Sequence, residues 1–312
     1  MNPTDQALAV VNNHQIKIHN DRLHTLMFTM TEDELDQVNR VRNKKGIDLR
    51  DKEQTIAHFK KVKKPGQKWS KTALKTVFPE MAEYINREQW HKRLQSIYKA
   101  MNADNTICPT WKAGQNGSLY TSDPNIQGLC DQYLWPILDY DHDHLRSVDY
   151  QSMFPGVAAW LFSCENLKAD YEANAIYDFD FDDMPDDMCR KKNKVVFLAI
   201  MFGSGLPNLS RRGLYPMATL KTMKREMEYT YPFLKQLNNE GRDRIRRTAS
   251  YLFNKKFVEL VSAPEPIQWI LIRHDQIIYT NPAHDPDVNI PLGPLFDLCG
   301  TVQTWEEIAQ SM

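Results

Sequence analysis

The chain has 312 residues, 42% of them hydrophobic and 25% charged. That is the composition of an ordinary folded protein, and a chain of this length buries a core without disulfide or metal staples. With 39 Lys+Arg against 40 Asp+Glu the net charge is −1, which excludes a uniformly basic tail but leaves room for local basic patches.

The longest apolar runs, Val195–Phe202 and Trp269–Ile272, fall short of the ~20 residues that a membrane span needs. No membrane association is expected. The start, MNPTDQALAVVNNHQ, lacks the basic and apolar regions of a signal peptide. Five Cys are scattered and never form a CxxC pair. They read as reduced thiols, and the expected location is the cytoplasm.

In chain order, Gln15–Ile18 reads as a strand or turn followed by helix. Residues 31–100 read as helices, with Thr31 and Glu34 spaced as a capping box and Leu35, Val38 and Val41 following at helical spacing. The stretch Lys60–Lys75 holds seven Lys and no acid, with a turn at Pro65-Gly66. It is either a solvated face or a surface that tracks a phosphate backbone. Arg87–Met101 reads as a further helix with Trp90, Leu94, Ile97 and Tyr98 on one side.

Residues 108–127 are turn-rich, and Asn116-Gly117 is a hairpin signal. Residues 145–149 read as a short strand ending in Asp149, and Val157–Phe162 as an apolar helix. Six Asp fall within Asp178–Asp187. A long helix is expected from Asp186 through Met201, and another over Thr219–Arg247 with a bend at Pro232. Residues 267–280 read as a β-hairpin that turns at His274-Asp275, and Val288–Met312 as a strand, a turn and a closing helix.

Four constellations could carry chemistry. Asp149 at a strand end is either a turn residue or a metal ligand. His274-Asp275 puts charge at the tip of an otherwise apolar hairpin, which points to a surface or a cleft. Arg190, Lys194, Leu198 and Phe202 recur every four residues and form one slowly winding helical stripe. Its cations can hold phosphates and its aromatic can stack on a base. The segment NGSLYTSDPNIQ, alone, reads as turns capped by Ser, Asp and Asn.

Taken together, the four resemble the motifs of family A DNA polymerases, the polymerase-I-like group. NGSLYTSDPNIQ is similar to that family's TGRLSSSDPNLQ segment. VDYQSMFPGVAAWLFSCENL resembles motif A, CRKKNKVVFLAIMFGSG resembles motif B with its R-x3-K-x6-7-YG pattern, and ILIRHDQIIY resembles motif C with its HDE. Fainter matches at EYTYPFLKQLNNEGRDRIRR, at NIPLGPLFDLCGTVQTWEEI and at IKIHNDRLHTL extend the likeness over most of the chain.

The resemblance implies an α+β right-hand fold, mostly helical, with a small antiparallel palm sheet and shortened fingers. It implies a thumb-like helical region over 1–110, palm with motif A over 111–185, fingers helices with motif B over 186–250, and palm with motif C over 251–312. Asp149 and Asp275 match the two carboxylates that hold two Mg²⁺ ions, with Mn²⁺ as a substitute. Arg190, Lys194, Phe202, Phe154 and Tyr150 fall on nucleotide-binding positions. Asn125, Gln127 and His274 fall on DNA-binding positions, to which the Lys60, Lys61, Lys63 and Lys64 run is added. The implied function is template-directed nucleotidyl transfer without proofreading, on primer–template DNA with deoxynucleoside triphosphates, with replication accessory proteins as further partners. The small size suggests a virus or mobile element, hence a host cytoplasm.

Several positions depart from the family. Phe154 stands where motif A has Glu, Pro155-Gly156 where Leu-Arg is usual, Gln276 where motif C has Glu, and Ser118 in place of the Arg of TGR. Leu198 replaces the second aromatic of motif B, and Phe202 lacks the Tyr hydroxyl. Alternatives are a catalytically impaired polymerase-fold subunit that binds primer–template DNA, and a single-subunit RNA polymerase relative. A metal hydrolase on Asp139-Tyr-Asp-His-Asp-His144 is more remote, because adjacent strand residues point to opposite faces.

Overall fold

The computed structural model describes residues 2–63, 78–140, 145–149, 152–179, 186–211, 213–262, 268–273 and 276–280. The elements begin with α1 (Pro3–Val11), β1 (Ile16–Lys17), α2 (Asn20–Lys45), α3 (Lys52–Val62), α4 (Pro79–Ala100), β2 (Thr106–Ile107), β3 (Thr110–Ala113), β4 (Leu119–Asp123) and α5 (Asp131–Ile137). They continue with β5 (Leu145–Asp149), α6 (Met153–Leu161), α7 (Glu165–Glu172), α8 (Asp186–Met201), α9 (Leu206–Arg211), α10 (Met217–Thr230), α11 (Phe233–Gln236), α12 (Asn239–Val261), β6 (Gln268–Arg273) and β7 (Gln276–Thr280). The fold is mostly helical with small antiparallel sheets, as the sequence implies.

Two compact units share these elements. One comprises Val11–Lys112 and Tyr120–Asp143; the other comprises Met1–Val10, Ala113–Leu119 and His144–Met312. In the first, α2 packs on α4 and α5. Val38, Val41, Ile47, Leu49, Phe59, Phe78, Met81 and Ala82 form its apolar cluster. The helix α2 runs unbroken through Thr31, whose hydroxyl donates to the Met27 carbonyl at 2.9 Å instead of capping a new helix. Nothing between Asn20 and Lys45 breaks a helix, so the capping pattern there is silent.

The turn from α2 to α3 is closed around one carboxylate. Asp48 accepts from the Arg50 amide (2.9 Å) and from the Arg50 guanidinium (3.0 and 3.1 Å), and it pairs with Arg42. These charge-assisted bonds hold its carboxyl far below the usual carboxylate range, the Arg50 bonds most of all. Asp51 then caps α3 by accepting from the amides of Glu53 and Gln54.

In the second unit, β5, β7 and β6 form one antiparallel sheet with β7 in the middle. Ile270, Leu271 and Ile272 are buried in succession, as are Ile277, Ile278 and Tyr279. Consecutive strand residues point to opposite faces, so this sheet is covered on both. The ring of Phe257, on α12, meets Trp269 of β6 edge-to-face at 5.1 Å. The expected helix over Thr219–Arg247 is three helices, α10, α11 and α12. Pro232 starts α11, and Asn238 starts α12 by accepting from the Gly241 amide at 2.8 Å. The side chain of Asn238 competes for the backbone and so begins a helix where periodicity alone suggests continuation.

A depressed carboxyl stabilises the fold only above its unfolded titration range, and that contribution is lost as the pH falls. Asp48→Asn therefore lowers thermal stability at neutral pH. Melting curves of the two proteins begin to approach one another as the pH falls into the ordinary carboxylate range and converge only as it nears the far lower titration of the folded Asp48.

Candidate active site

The residues singled out on β5, α6 and α8 all belong to the second unit. In the sheet, Asp149 stands opposite Gln276, and Gln276 stands opposite Arg273. The end of β5, the start of β7 and the end of β6 thus lie in one row. His274 and Asp275 connect β6 to β7 and lie outside the described residues, as do Tyr150 and Lys64. After β5 the chain turns at Ser152, which holds a left-handed conformation (φ 52°, ψ 40°) as it enters α6. Such a conformation costs a non-glycine residue about 1–3 kcal/mol, so the surrounding structure must impose it.

Helix α8 is amphipathic in the way its spacing implies. Cys189, Asn193, Val196, Phe197, Ile200 and Met201 are buried, whereas Arg190, Lys194, Leu198 and Phe202 share the strip that is not. Both ends of the helix are anchored. Near its start, the Asn193 amide donates to the carbonyls of Tyr177 (3.0 Å) and Phe179 (2.7 Å), and its oxygen accepts from the Tyr215 hydroxyl at 2.9 Å. Arg190 donates to the Asn174 carbonyl at 2.7 Å and pairs with Asp178. The sequence gives no signal for these partners, which come from the segment before the helix and, for Tyr215, from the chain after it. Lys194 is exposed and forms no ion pair with a described residue.

At the other end, the amides of Gly203 and Ser204 return to the carbonyls of Ile200 (3.1 Å) and Ala199 (2.7 Å). Gly203 sits at φ +77°. This is the two-bond left-handed cap that glycine supplies most cheaply. Arg242 of α12 donates to the Met201 carbonyl at 3.1 Å, satisfying a further terminal acceptor. Phe202, at the cap, meets Phe154 of α6 edge-to-face, with ring centroids 5.2 Å apart and planes at 87°. Arg246 lies over the same Phe202 ring at 4.5 Å.

The turn between β3 and β4 carries Ser118. The Ser118 amide donates to Asn116 Oδ1 at 3.3 Å, and its hydroxyl bonds the same oxygen. Gly117 lies at φ +82°, and its carbonyl accepts from Asn254 of α12 at 2.9 Å. Asn125 and Gln127 belong to the other unit. Gln127 is buried and accepts from the Thr121 amide at 2.6 Å; Asn125 accepts from the Gly128 amide at 2.9 Å. Lys60 and Lys61 are exposed in the last turn of α3, and Lys63 follows half-buried. Among the described residues there is no group of three or more His, Cys, Asp or Glu side chains placed to hold a metal, and no helix is long and apolar enough to cross a membrane.

No family model matches the chain, and no curated protein matches its sequence. Its backbone does match a solved structure. The POL domain of Pol1 from M. smegmatis, in complex with DNA primer-template and dNTP, superposes with a TM-score of 0.69 at 13% identity over 99% of this chain. The fold is similar to that of a polymerase domain. The chain spans 66% of that polymerase chain, just under two thirds of its length.

A Cβ on Gly203 would come within 2.7 Å of the Arg242 guanidinium carbon, besides straining the positive φ. Gly203→Ala is expected to destabilise the protein by about 1–2 kcal/mol, read as a fall of a few degrees in melting temperature. Arg242→Ala should remove part of the same stability by releasing the Met201 carbonyl.

Proposed function

We propose that the chain is a family A-type DNA polymerase core that transfers nucleotides to a primer on a template. The observation that carries this reading is the register of β5 on β7. Asp149 stands opposite Gln276, the residue that follows Asp275. On this reading Asp149 and Asp275 are the two carboxylates that act together. The polymerase fold similarity supports the same assignment.

Asp149 and Asp275 would hold Mg²⁺, or Mn²⁺ in its place, since hard cations take carboxylate oxygens. The chemistry such ions would supply when bound there is activation of a primer 3′-hydroxyl and neutralisation of the triphosphate and leaving group. The chain's own cations do the positioning. The exposed ammonium of Lys194 is available to a triphosphate. Arg190 is engaged with Asp178 and Asn174, so it reaches a phosphate by exchanging one set of oxygen acceptors for another. Phe202 and Phe154 present an apolar wall to the base and sugar of the incoming nucleotide. Lys60, Lys61, Lys63 and Lys64 add sequence-independent affinity for a phosphate backbone. Asn125, Gln127, His274 and Tyr150 are assigned to the DNA and nucleotide contacts by resemblance alone.

Purified protein given primer–template, Mg²⁺ and deoxynucleotides should extend the primer. Asp149→Ala and Asp275→Ala should each reduce extension by several orders of magnitude while leaving primer–template binding in gel-shift assays. A wild-type protein that binds primer–template but adds no nucleotide with either Mg²⁺ or Mn²⁺ is instead a polymerase-fold binding subunit.

Lys194→Ala removes a charge-assisted phosphate contact worth about 1.5–3 kcal/mol. It should weaken deoxynucleotide use, in kcat/KM, by about ten- to a hundredfold. Neutralising Lys60 and Lys61 should act on the other partner, lowering DNA affinity and flattening its salt dependence.

A further inference from the structure

We infer that Arg246 is the positioning residue of the Phe154–Phe202 pair and that it sets selectivity for deoxy- over ribonucleotides. The inference rests on the polymerase reading above. The guanidinium carbon of Arg246 lies 4.5 Å from the Phe202 ring centroid, well inside the range of a cation–π contact. The guanidinium is itself tethered, because it donates to Asp243, one turn back on α12, at 2.8 Å. Arg242 lies one turn before Arg246 and holds the Met201 carbonyl. Helix α12 therefore grips the end of α8 twice, once on the backbone and once on the ring.

On another side Phe202 meets Phe154, edge-to-face at 5.2 Å. Neither ring has a hydrogen-bonding group, and both are only half-buried. Packing on such a site leaves a ring's orientation loosely determined. A cation fixed over one face favours one orientation, because rotating the ring away forfeits the electrostatic attraction to its quadrupole. Phe154 then takes its own position from the edge of the restrained ring. On the proposed function Phe154 and Phe202 wall the sugar of the incoming nucleotide by shape alone, so the residue that fixes Phe202 governs how much room stands beside the 2′-carbon.

The test is single-nucleotide insertion on one primer–template with a matched deoxy- and ribonucleotide, read as the ratio of the two kcat/KM values. The wild type should prefer the deoxynucleotide. Arg246→Ala should lower the ratio about two- to tenfold. Arg246→Lys, which keeps a cation on a different stem, should retain part of it. In a Phe202→Leu background the ring is gone, and Arg246→Ala should cause no further change in the ratio.

Three results overturn the inference: a selective wild type whose ratio Arg246→Ala leaves intact, a wild type with no selectivity, or an Arg246→Ala effect that persists in full beside Phe202→Leu. The last would show that Arg246 acts on the substrate directly. Failure of the polymerase reading is separately visible, as a wild type that inserts neither nucleotide.

Discussion

The antiparallel pairing of β5 with β7 is the constraint on which the candidate site depends. Register is set residue by residue, so a slip of one residue would bring Val148 opposite Gln276 in place of Asp149. The slip is opposed on the other strand by three successive buried residues, Ile277, Ile278 and Tyr279, with β6 paired along the far edge. Helix α12 adds a further restraint where Phe257 meets Trp269. A carboxylate position on one strand is thus held by apolar packing on the next.

Helix α8 presents its polar strip by a different means. An amphipathic helix rotates easily about its axis when only hydrophobic contact holds it. Here Asn193 fixes the rotation with three hydrogen bonds, and Arg242 fixes the far end. Arg190 is balanced by Asp178, the first of the six Asp in Asp178–Asp187. A chain of net charge −1 can therefore carry a cationic strip without leaving it wholly uncompensated. On the proposed function, the Asp178 carboxylate stands in for a phosphate at Arg190.

Local signals were legible wherever the chain itself supplies the reason. The Asp186–Met201 helix, the β-hairpin around His274-Asp275 and the strand ending at Asp149 all follow from periodicity and turn residues. The face on which Arg190, Lys194, Leu198 and Phe202 fall follows from spacing by four. What spacing does not reveal is which distant residue will meet that face. Arg246 over Phe202, Arg242 on Met201 and Tyr215 on Asn193 join separate helices or loops, and no short pattern encodes them. Thr31 shows the opposite failure: a capping pattern is present, but the helix on either side of it is uninterrupted. Gln127 illustrates a third, since its type and neighbours say nothing of its burial against Thr121.

The doubly covered sheet has a consequence for the chain before it folds. Trp269–Ile272 and Ile277–Tyr279 consist of β-branched and aromatic residues and one Leu, all uncharged, without Pro or Gly. Such segments pair with copies of themselves when they are exposed, as in an unfolded or newly made chain. Arg273, His274 and Asp275 fall between the two runs and prevent a single longer one. The charged residues that separate the runs, among them the carboxylate that the proposed function uses, act in the sequence as gatekeepers against self-association, so replacing Asp275 with an apolar residue would lower solubility as well as any activity.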